Sequence, residues 1–367
     1  MKKSLKILLY IGQYRFPLSP HDVGAVILEG LLASGHEICA LCLAENDPLS
    51  EIAKKNHIPV HFLPAELDAP VDRMRQIFST TKPLPLHLTE WINTLKQYDA
   101  EWGLVYCGGW VPPQLRILPS KGFLNLHPGP LPQLTGYDPE KFLILQEAPY
   151  GQSTIHYLAD KFDTGRILSL SRPVRIPLHT TVPELSYLLS SAGIEKLVEL
   201  LNDMGEDVPE GFIQNEMQRG YAKRAIGYRA CCLDLTRETV SSIERKRRVF
   251  NSLADGMCLR MALRDGNGFR TIRYAEPLSG SFPGRPGERI GVCRKPGFRL
   301  DLADVYRIVD GAVILHFGPT ITAWNGNFYL QDTELVRPGT TESWYKAEDI
   351  DLNIMPAAAA LHQEAWK

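Results

Sequence analysis

The alternation of short apolar runs with longer amphipathic stretches constrains this chain more than any other feature of its sequence. Over the first 125 residues, apolar runs predict strands at 5–11, 37–43, 60–63 and 103–106. Apolar residues at helical spacing predict helices at 23–33, just before Gly35, and at 89–98. Strands that alternate with helices are typical of a parallel sheet wrapped by helices, so we predict an α/β, Rossmann-like first domain.

The chain changes character near residues 205–232, where glycines and prolines interrupt a polar stretch. Before that boundary the pattern predicts a helix at 140–146, a strand at 153–158 and a long amphipathic helix at 181–204. After it, a predicted helix at 236–253 precedes apolar runs at 259–263, 269–274, 290–293, 305–309 and 312–317. We therefore predict an α/β domain at 1–215, a smaller β-rich, open-barrel-like domain at 216–317 and a C-terminal extension at 318–367.

The apolar runs are too short for a membrane helix. Ile7–Ile11, one of the longest, falls far short of the ~20 apolar residues that a bilayer span requires. The basic start of the chain lacks the small-residue cleavage site of a signal peptide, and 7 cysteines in 367 residues favour a reducing compartment. We therefore expect a cytoplasmic protein that contacts no membrane.

Charge is distributed unevenly along the chain. With histidine taken as neutral, residues 1–215 carry a net charge of −6, residues 216–317 carry +8 and residues 318–367 carry −4. The middle part is therefore the most basic surface that the sequence offers to a polyanion. Its basic run Arg245–Arg248 lies on a predicted helix, where it would face a nucleotide, a tRNA or only solvent.

The most informative local motif is the run Asn125-Leu126-His127-Pro128-Gly129-Pro130-Leu131-Pro132, with Asp163-Thr164-Gly165 beginning 36 residues after His127. In an open parallel sheet, ligands bind at the carboxyl ends of strands, and side chains two apart in a strand point the same way. An Asn amide donates to a developing oxyanion, a His exchanges protons near neutral pH, and a carboxylate orients that His or relays protons. Asn125, His127 and Asp163 are therefore candidate catalytic residues, although residue types alone leave a structural turn equally open.

The motif, extended to Gly136 and Pro139, resembles that of the folate-dependent formyltransferases in residue type, order and spacing, over about residues 5–225. The resemblance implies that an amine attacks the formyl carbon of N10-formyltetrahydrofolate. Asn125 and His127 would then stabilise the tetrahedral oxyanion, and Asp163 would assist proton transfer. It also implies that the pterin of the folate lies against two loops, mostly through backbone groups, and we expect Gly109, Trp110, Val111, Ala159, Asp160 and Phe162 to bind this cosubstrate.

The sequence departs from the family pattern at two positions of the motif. Gly129 stands where the family often has Ser, and Thr135 stands where methionyl-tRNA formyltransferases commonly have Arg. These departures leave the transfer chemistry in place and the acceptor open. In the second domain, turns at Pro286-Gly287 and Asp310-Gly311 are similar to those of the open-barrel subdomain in tRNA and some sugar formyltransferases.

Other residues in the sequence favour structural roles. Cys39 and Cys42 are three apart on a strand and so should face opposite sides, which argues against a shared metal, and we predict no metal site. His156, on the strand before Asp163, fits a core or edge histidine better than a catalytic one. Trp110 would either stack on the pterin or fill the core.

We therefore expect an enzyme that formylates a primary amine of a small molecule, such as a nucleotide-linked amino sugar. Three alternatives stay open: a methionyl-tRNA formyltransferase, a formyltetrahydrofolate hydrolase with the same three residues, and a folate- or nucleotide-binding module without catalysis. Aromatic residues of the extension would cover the barrel or form a homodimer contact.

Overall fold

A computed structural model gives the structure of the protein. It describes residues 4–12, 22–68, 71–79, 83–106, 109–136, 139–204, 208–222, 231–250, 259–262, 268–294, 302–324, 327–330 and 350–351. The chain forms two compact units, 1–222 and 223–367. The predicted division at residues 215 and 317 stays a prediction, since most of the extension lies outside the described residues. In the described part of the chain, the helices lack the length and apolar character needed to cross a membrane.

The first unit is built on a mixed sheet of mostly parallel strands. Its strands, in chain order, are β1 (Lys6–Ile11), β2 (Glu37–Leu43), β3 (Val60–Phe62), β4 (Trp102–Tyr106), β5 (Phe123–His127), β6 (Thr135–Gly136), β7 (Tyr150–Gly151), β8 (Thr154–Tyr157), β9 (Ile167–Leu170), β10 (Val174–Arg175) and β11 (Tyr221–Ala222). The main sheet has the order β3-β2-β1-β4-β5-β8-β9. Its first five strands pair in parallel, as the sequence predicts, whereas β8 and β9 join in antiparallel pairs.

Helices connect these strands and cover the sheet. They are α1 (Val23–Ala33), α2 (Leu49–Lys55), α3 (Val71–Ile77), α4 (Leu86–Lys96), α5 (Pro113–Arg116), α6 (Pro139–Leu145) and α7 (Val182–Asp203), with 3₁₀ turns at Ala65–Asp68 and Glu216–Gln218. One apolar cluster joins α1 and α7 to the sheet, and a second packs α3 and α4 against the same strands. The predicted α/β fold is therefore confirmed.

Local capping explains why the ends of α1 and α7 follow the sequence closely. The side chain of Asp22 accepts from the backbone N–H of Gly24, and Gly35 after the helix adopts a left-handed φ of 79°. At the start of α7, the Glu184 carboxylate accepts from the backbone N–H and the hydroxyl of Thr181, both at 2.8 Å. These signals act within a few residues, so they are readable without tertiary information.

The second unit is a β-rich domain with one described helix, α8 (Val240–Phe250). Its strands are β12 (Arg260–Ala262), β13 (Gly268–Ser279), β14 (Arg289–Arg294), β15 (Leu302–Arg307), β16 (Gly311–Trp324), β17 (Asn327–Leu330) and β18 (Ile350–Asp351). They form an antiparallel path in the order β12-β13-β16-β15-β14-β18, with β17 also on β16. Among the described residues this path does not close into a barrel, which agrees with the predicted open, β-rich domain.

Helix α8 begins four residues later than the spacing of apolar residues predicts. Thr239 and Ser242 exchange side-chain and backbone hydrogen bonds at 2.8 and 3.1 Å, which is the reciprocal pattern of a capped helix start. The Asp310 carboxylate also accepts from the N–H of Val240 at 2.8 Å. The cap therefore fixes the first turn, while residues 236–238 form a turn of their own around Asp234.

The basic run on α8 is engaged within the second unit. Lys246 Nζ lies 2.5 Å from a carboxylate oxygen of Glu238, and Arg247 Nη2 lies 2.8 Å from one of Glu244. Arg245 donates to the hydroxyl of Ser241 at 2.7 Å. These three basic side chains of the run therefore have partners in the second unit, two of them carboxylates.

The two cysteines of β2 lie on the same side of the sheet, whereas strand alternation predicts opposite sides. A register shift between Ile7 and Leu8 marks a β-bulge opposite this part of β2. Cys39 and Cys42 consequently pack in the same apolar cluster, and both are buried free thiols. Burial raises the pKa of the Cys39 thiol to about 11, with a smaller contribution from Glu37, so this thiol is protonated at neutral pH.

Candidate active site

The predicted pair Asn125 and His127 lies at the carboxyl end of β5, between β4 and β8. Parallel pairing with β4 and antiparallel pairing with β8 bury this strand on both sides. The His127 side chain is 5% exposed and Asn125 is half-buried. The strand end therefore presents a fixed amide and a fixed imidazole to the loops above it.

Asp163 reaches this pair from the loop between β8 and β9. Its Oδ1 atom lies 3.8 Å from Nδ1 of His127, and its Oδ2 atom accepts from the backbone N–H of Gly136 at 2.8 Å. The Asp163 backbone has a φ of 51°, in the left-handed region that costs a side chain other than glycine some free energy. The three predicted catalytic residues thus come together, although they derive from separate parts of the sequence.

His156 is a fourth side chain at the same place. It lies opposite Asn125 in the pairing of β5 with β8, is 1% exposed, and its Nε2 is 3.0 Å from Nδ2 of Asn125. The same Nε2 is 3.6 Å from Oδ1 of Asp163. The sequence correctly indicated a buried histidine but missed these contacts, because the antiparallel pairing of β8 is not visible in a local pattern. The one available signal was its place on the strand that leads to Asp163.

Backbone carbonyls fix which nitrogen of each imidazole carries a proton. His127 Nε2 donates to the carbonyl of Leu134 at 2.7 Å, and His156 Nδ1 donates to that of Tyr157 at 2.8 Å, because a carbonyl only accepts. In their neutral forms, the working nitrogens are therefore Nδ1 of His127 and Nε2 of His156. The latter accepts a hydrogen bond from the Asn125 amide, which keeps a second N–H for another acceptor.

The site holds an ionised carboxylate beside a neutral imidazole at neutral pH. Burial lowers the pKa of His127 below its ordinary value, and the Asp163 carboxylate opposes this only in part. Burial alone would raise the pKa of Asp163. The neighbouring His127 and His156 and the N–H of Gly136 outweigh burial and hold that pKa well below its usual range. Such a pairing of a charged acceptor with a neutral imidazole suits proton transfer.

The two loops expected to bind the cosubstrate also meet. Trp110 Nε1 donates to the carbonyl of Asp160 at 3.2 Å, and Arg116 pairs with the Asp160 carboxylate at 2.5 Å. Trp110 is buried in the apolar cluster that Phe162 also contacts, while the Arg75 guanidinium lies 5.9 Å from its ring centroid. Gly109 has a φ of 64°, Val111 is buried and Ala159 is half-buried. Trp110 therefore fills core, and its role toward a pterin stays a prediction.

The position of Gly129 is too close to its neighbours for a side chain. A Cβ atom there would lie 2.7 Å from Cβ of Pro139 and 3.2 Å from Nε2 of His127. Thr135 is fully buried, and its hydroxyl donates to the carbonyl of Pro132 at 3.1 Å. Glycine at 129 therefore fits the close packing against Pro139 and His127, and Thr135 is satisfied by its hydrogen bond to Pro132.

Comparison with known proteins gives a consistent result for the first unit. Residues 22–201 match the family described as formyl transferase. A methionyl-tRNA formyltransferase of Novosphingobium aromaticivorans is 27% identical over 326 residues, which cover 87% of this chain and 96% of that protein. Another, from Methylococcus capsulatus, is 27% identical over 61% of this chain and 69% of that protein.

Among solved structures, HypX from Aquifex aeolicus in complex with tetrahydrofolic acid has a similar fold. Its TM-score is 0.53 at 14% sequence identity, and the match covers 87% of this chain. The chain corresponds to less than half of HypX, since only 44% of that structure is covered.

Proposed function

Because this chain belongs to the formyl transferase family through residues 22–201, we propose that it transfers the formyl group of N10-formyltetrahydrofolate to a primary amine. The observation that carries the proposal is the convergence of Asn125, His127 and Asp163 at the end of β5. An amide donor beside an acceptor imidazole nitrogen and an ionised carboxylate suits acyl transfer, in which an oxyanion forms and a proton leaves.

Each side chain has a distinct role in this reaction. The amine nitrogen forms a bond to the formyl carbon, and the remaining N–H of Asn125 donates to the carbonyl oxygen as its charge develops. His127 Nδ1 faces the same centre, and the Asp163 carboxylate accepts the proton that the amine loses. That proton passes to N10 as the carbon–N10 bond breaks, which releases tetrahydrofolate and the formylated amine.

The acceptor in this proposal is an amine on a small molecule, such as a nucleotide-linked amino sugar. Support comes from α8, where Lys246 and Arg247 contact the carboxylates of Glu238 and Glu244. A helix whose cations are paired in this way offers less to an extended polyanion than the basic run Arg245–Arg248 alone suggests.

Methionyl-tRNA is the second candidate acceptor. The Novosphingobium relative, whose name states that activity, aligns with 87% of this chain and so includes the second unit as well as the first. Binding of tRNA depends steeply on salt because phosphate contacts release counterions. Formylation of Met-tRNA with such a salt dependence would replace the small-molecule acceptor, while absence of tRNA binding at 50 mM salt would remove this candidate.

A formyl-transfer screen tests the proposal directly. Purified protein is incubated with N10-formyltetrahydrofolate and, separately, with amino-sugar nucleotides, amino acids, hydroxylated amines and Met-tRNA, while tetrahydrofolate and formate are measured. We expect tetrahydrofolate release only with the correct amine. Formate release without any amine would indicate a hydrolase, and folate binding without turnover across the panel would indicate a binding module.

His127→Ala should reduce this activity by about 100-fold or more, since it removes the imidazole at the reacting centre. His179→Ala serves as the matched control, because His179 is exposed. Wild-type turnover in His127→Ala would contradict the assignment of the site.

A further inference from the structure

The segment 208–222, which follows α7, contacts both the β8–β9 hairpin that carries Asp163 and the stretch between β5 and β6. Phe212 and Ile167 exchange backbone hydrogen bonds at 2.7 and 2.8 Å, which attaches this segment to β9. Farther along, the N–H of Gly220 donates to the carbonyl of Pro132, and β11 pairs in parallel with β6. These contacts lie beyond residue 201, where the family match ends.

Gln214 is the residue of this segment that holds the Asp163 loop. Its Nε2 donates to the carbonyls of Asp163 at 2.8 Å and of Gly165 at 2.7 Å. A carboxamide nitrogen has two hydrogens, so these two bonds use its full donor capacity. Because a glutamine oxygen facing the same carbonyls would be repelled, the environment also selects this orientation of the amide.

The loop that Gln214 holds has a backbone conformation that is unfavourable without support. Asp163 has a left-handed φ of 51°, and an added Cβ at Gly165 would lie 1.7 Å from the carbonyl oxygen of Tyr157. Strained conformations of this kind persist only where the surroundings determine them. The two bonds from Gln214 constrain the chain on both sides of Thr164, and so restrict the rotation that would turn the Asp163 carboxylate away from His127.

Burial makes these bonds effective. Gln214 is 6% exposed, so water competes poorly for the two carbonyls. Its Oε1 atom is buried and has no hydrogen-bond partner among the described residues. The Gln214 side chain therefore makes its hydrogen bonds in this part of the chain through Nε2 alone. Keeping an amide here has a desolvation cost that an apolar side chain would avoid.

We propose that Gln214 is a positioning residue for formyl transfer, which acts by holding the Asp163 loop in its left-handed conformation. This inference rests on the proposed function for its kinetic consequence. The structural part, that Gln214 keeps the Asp163 carboxylate beside His127, does not depend on which acceptor is used.

The test removes the two N–H donors of the Gln214 side chain while keeping a side chain of similar volume. Gln214→Met removes both hydrogen bonds, and Gln218→Met is the matched control, since Gln218 lies on the same segment and is exposed. We expect kcat to fall about 10- to 100-fold in Gln214→Met, with KM for N10-formyltetrahydrofolate within about twofold of wild type, because misplacement of a catalytic group affects turnover more than binding. Gln218→Met should match wild type in both parameters.

A second readout does not require activity. The Asp163 carboxylate raises the pKa of His127, so its displacement should lower that pKa, and the acid limb of the kcat/KM profile should move to lower pH. Imidazole titration by ¹⁵N NMR measures the same shift in Gln214→Met and in the milder Gln214→Asn, which keeps the amide but shortens its reach.

The outcomes separate the two proposals. If wild type transfers no formyl group to any amine, the proposed function fails, and the NMR titration alone decides the role of Gln214. If either folded variant has the kcat and the His127 titration of wild type, Gln214 does not position Asp163. If Gln214→Met does not fold, Gln214→Asn provides both measurements.

Discussion

At the residue scale, the site depends on how four polar side chains determine one another's hydrogen bonding. Two carbonyls fix the tautomers of His127 and His156, and the Asn125 amide is aligned by the second of these imidazoles. Asp163 is held by Gly136 on one oxygen, which leaves the other toward the imidazoles. Removing any one of them therefore changes the state of its neighbours as well as deleting a group.

The first prediction concerns the protonation of His127. We expect neutral His127 to be the Nε2–H tautomer at pH 7 and to titrate below its ordinary pKa of 6.5, since burial disfavours the charged form. In Asp163→Asn this pKa should fall further, because the carboxylate that favours the imidazolium is gone. Long-range ¹H–¹⁵N spectra report both the tautomer and the titration.

The exposed His179→Ala variant serves as the control for folding in these spectra. A rise in the pKa of His127 in the Asp163→Asn variant would contradict the effect assigned to the Asp163 carboxylate. An Nδ1–H tautomer in wild type would contradict the hydrogen bond from Nε2 to Leu134. Because imidazole protonation competes with its role as an acceptor, activity should fall as the pH drops through this value and be retained above it.

The sequence predicts three of these four residues as members of one site, and the structure places them together. Asn125 and His127 are two apart on one strand, so they point the same way, whereas Asp163 is linked to them by the family resemblance of the motif and its spacing. The contacts of His156 depend on which residue of β8 lies opposite Asn125, and those of Gln214 depend on how the chain returns after α7. Such pairings form between distant segments, and no local pattern encodes them.

At the element scale, α7 supports β5 from below the site. Gly193 is the point of closest approach: a Cβ there would lie 2.6 Å from Cδ1 of Leu126 and 3.0 Å from Cβ of Ser153. Leu126 is the residue between Asn125 and His127, so the packing of this helix and the placement of these two side chains are linked. Glycine costs helix propensity here and permits the contact.

The second prediction follows from this contact. Gly193→Ala should lower the free energy of unfolding by about 1–3 kcal/mol, because overpacking outweighs the better helix propensity of alanine. Chemical denaturation measures the change. Ser191→Ala, two residues earlier on α7, is the control and should have little effect, since Ser191 is partly exposed. A stabilised Gly193→Ala would show that α7 yields to the added methyl group.

The ends of helices and strands agree with the sequence prediction where local caps determine them. They differ from it where pairing with a neighbour extends a strand. The bounds of α1 and β2 agree with the prediction, whereas β13 and β16 run well beyond their apolar runs because they pair with each other along most of their length. The direction of β8 and β9 was also unpredictable, since short apolar runs are compatible with either orientation.

At the scale of the whole molecule, the protein combines a first unit that contains the entire proposed catalytic group with a second, β-rich unit. Segmental charge predicts a basic surface on the second unit, and in the structure Lys246 and Arg247 of α8 pair with the carboxylates of Glu238 and Glu244. The sequence of the run Arg245–Arg248 does not show which neighbouring carboxylates its cations contact, because those contacts depend on the folded backbone.

The third prediction is that bound tetrahydrofolate orders the site loops. At 100 times its dissociation constant, a ligand stabilises the state that binds it by about 2.7 kcal/mol. We expect hydrogen exchange to slow in peptides from 109–136, 160–165 and 208–222, where the loops and their support lie. Exchange in α2 should change less, because this helix packs against β2 and β3, at the opposite edge of the sheet from β8 and β9. Equal slowing in both regions would contradict a binding place at these loops.

The segment 208–222 also has a consequence for the order in which the protein is made. Synthesis runs from the N-terminus, so β5, α6 and α7 leave the ribosome before Gln214 and β11 are available. A nascent chain that has reached residue 201 therefore contains Asn125, His127 and Asp163 without the two hydrogen bonds that hold the Asp163 loop. With the role proposed for Gln214, the catalytic arrangement is completed only when residues 208–222 have been translated, so we expect an incomplete chain to be inactive.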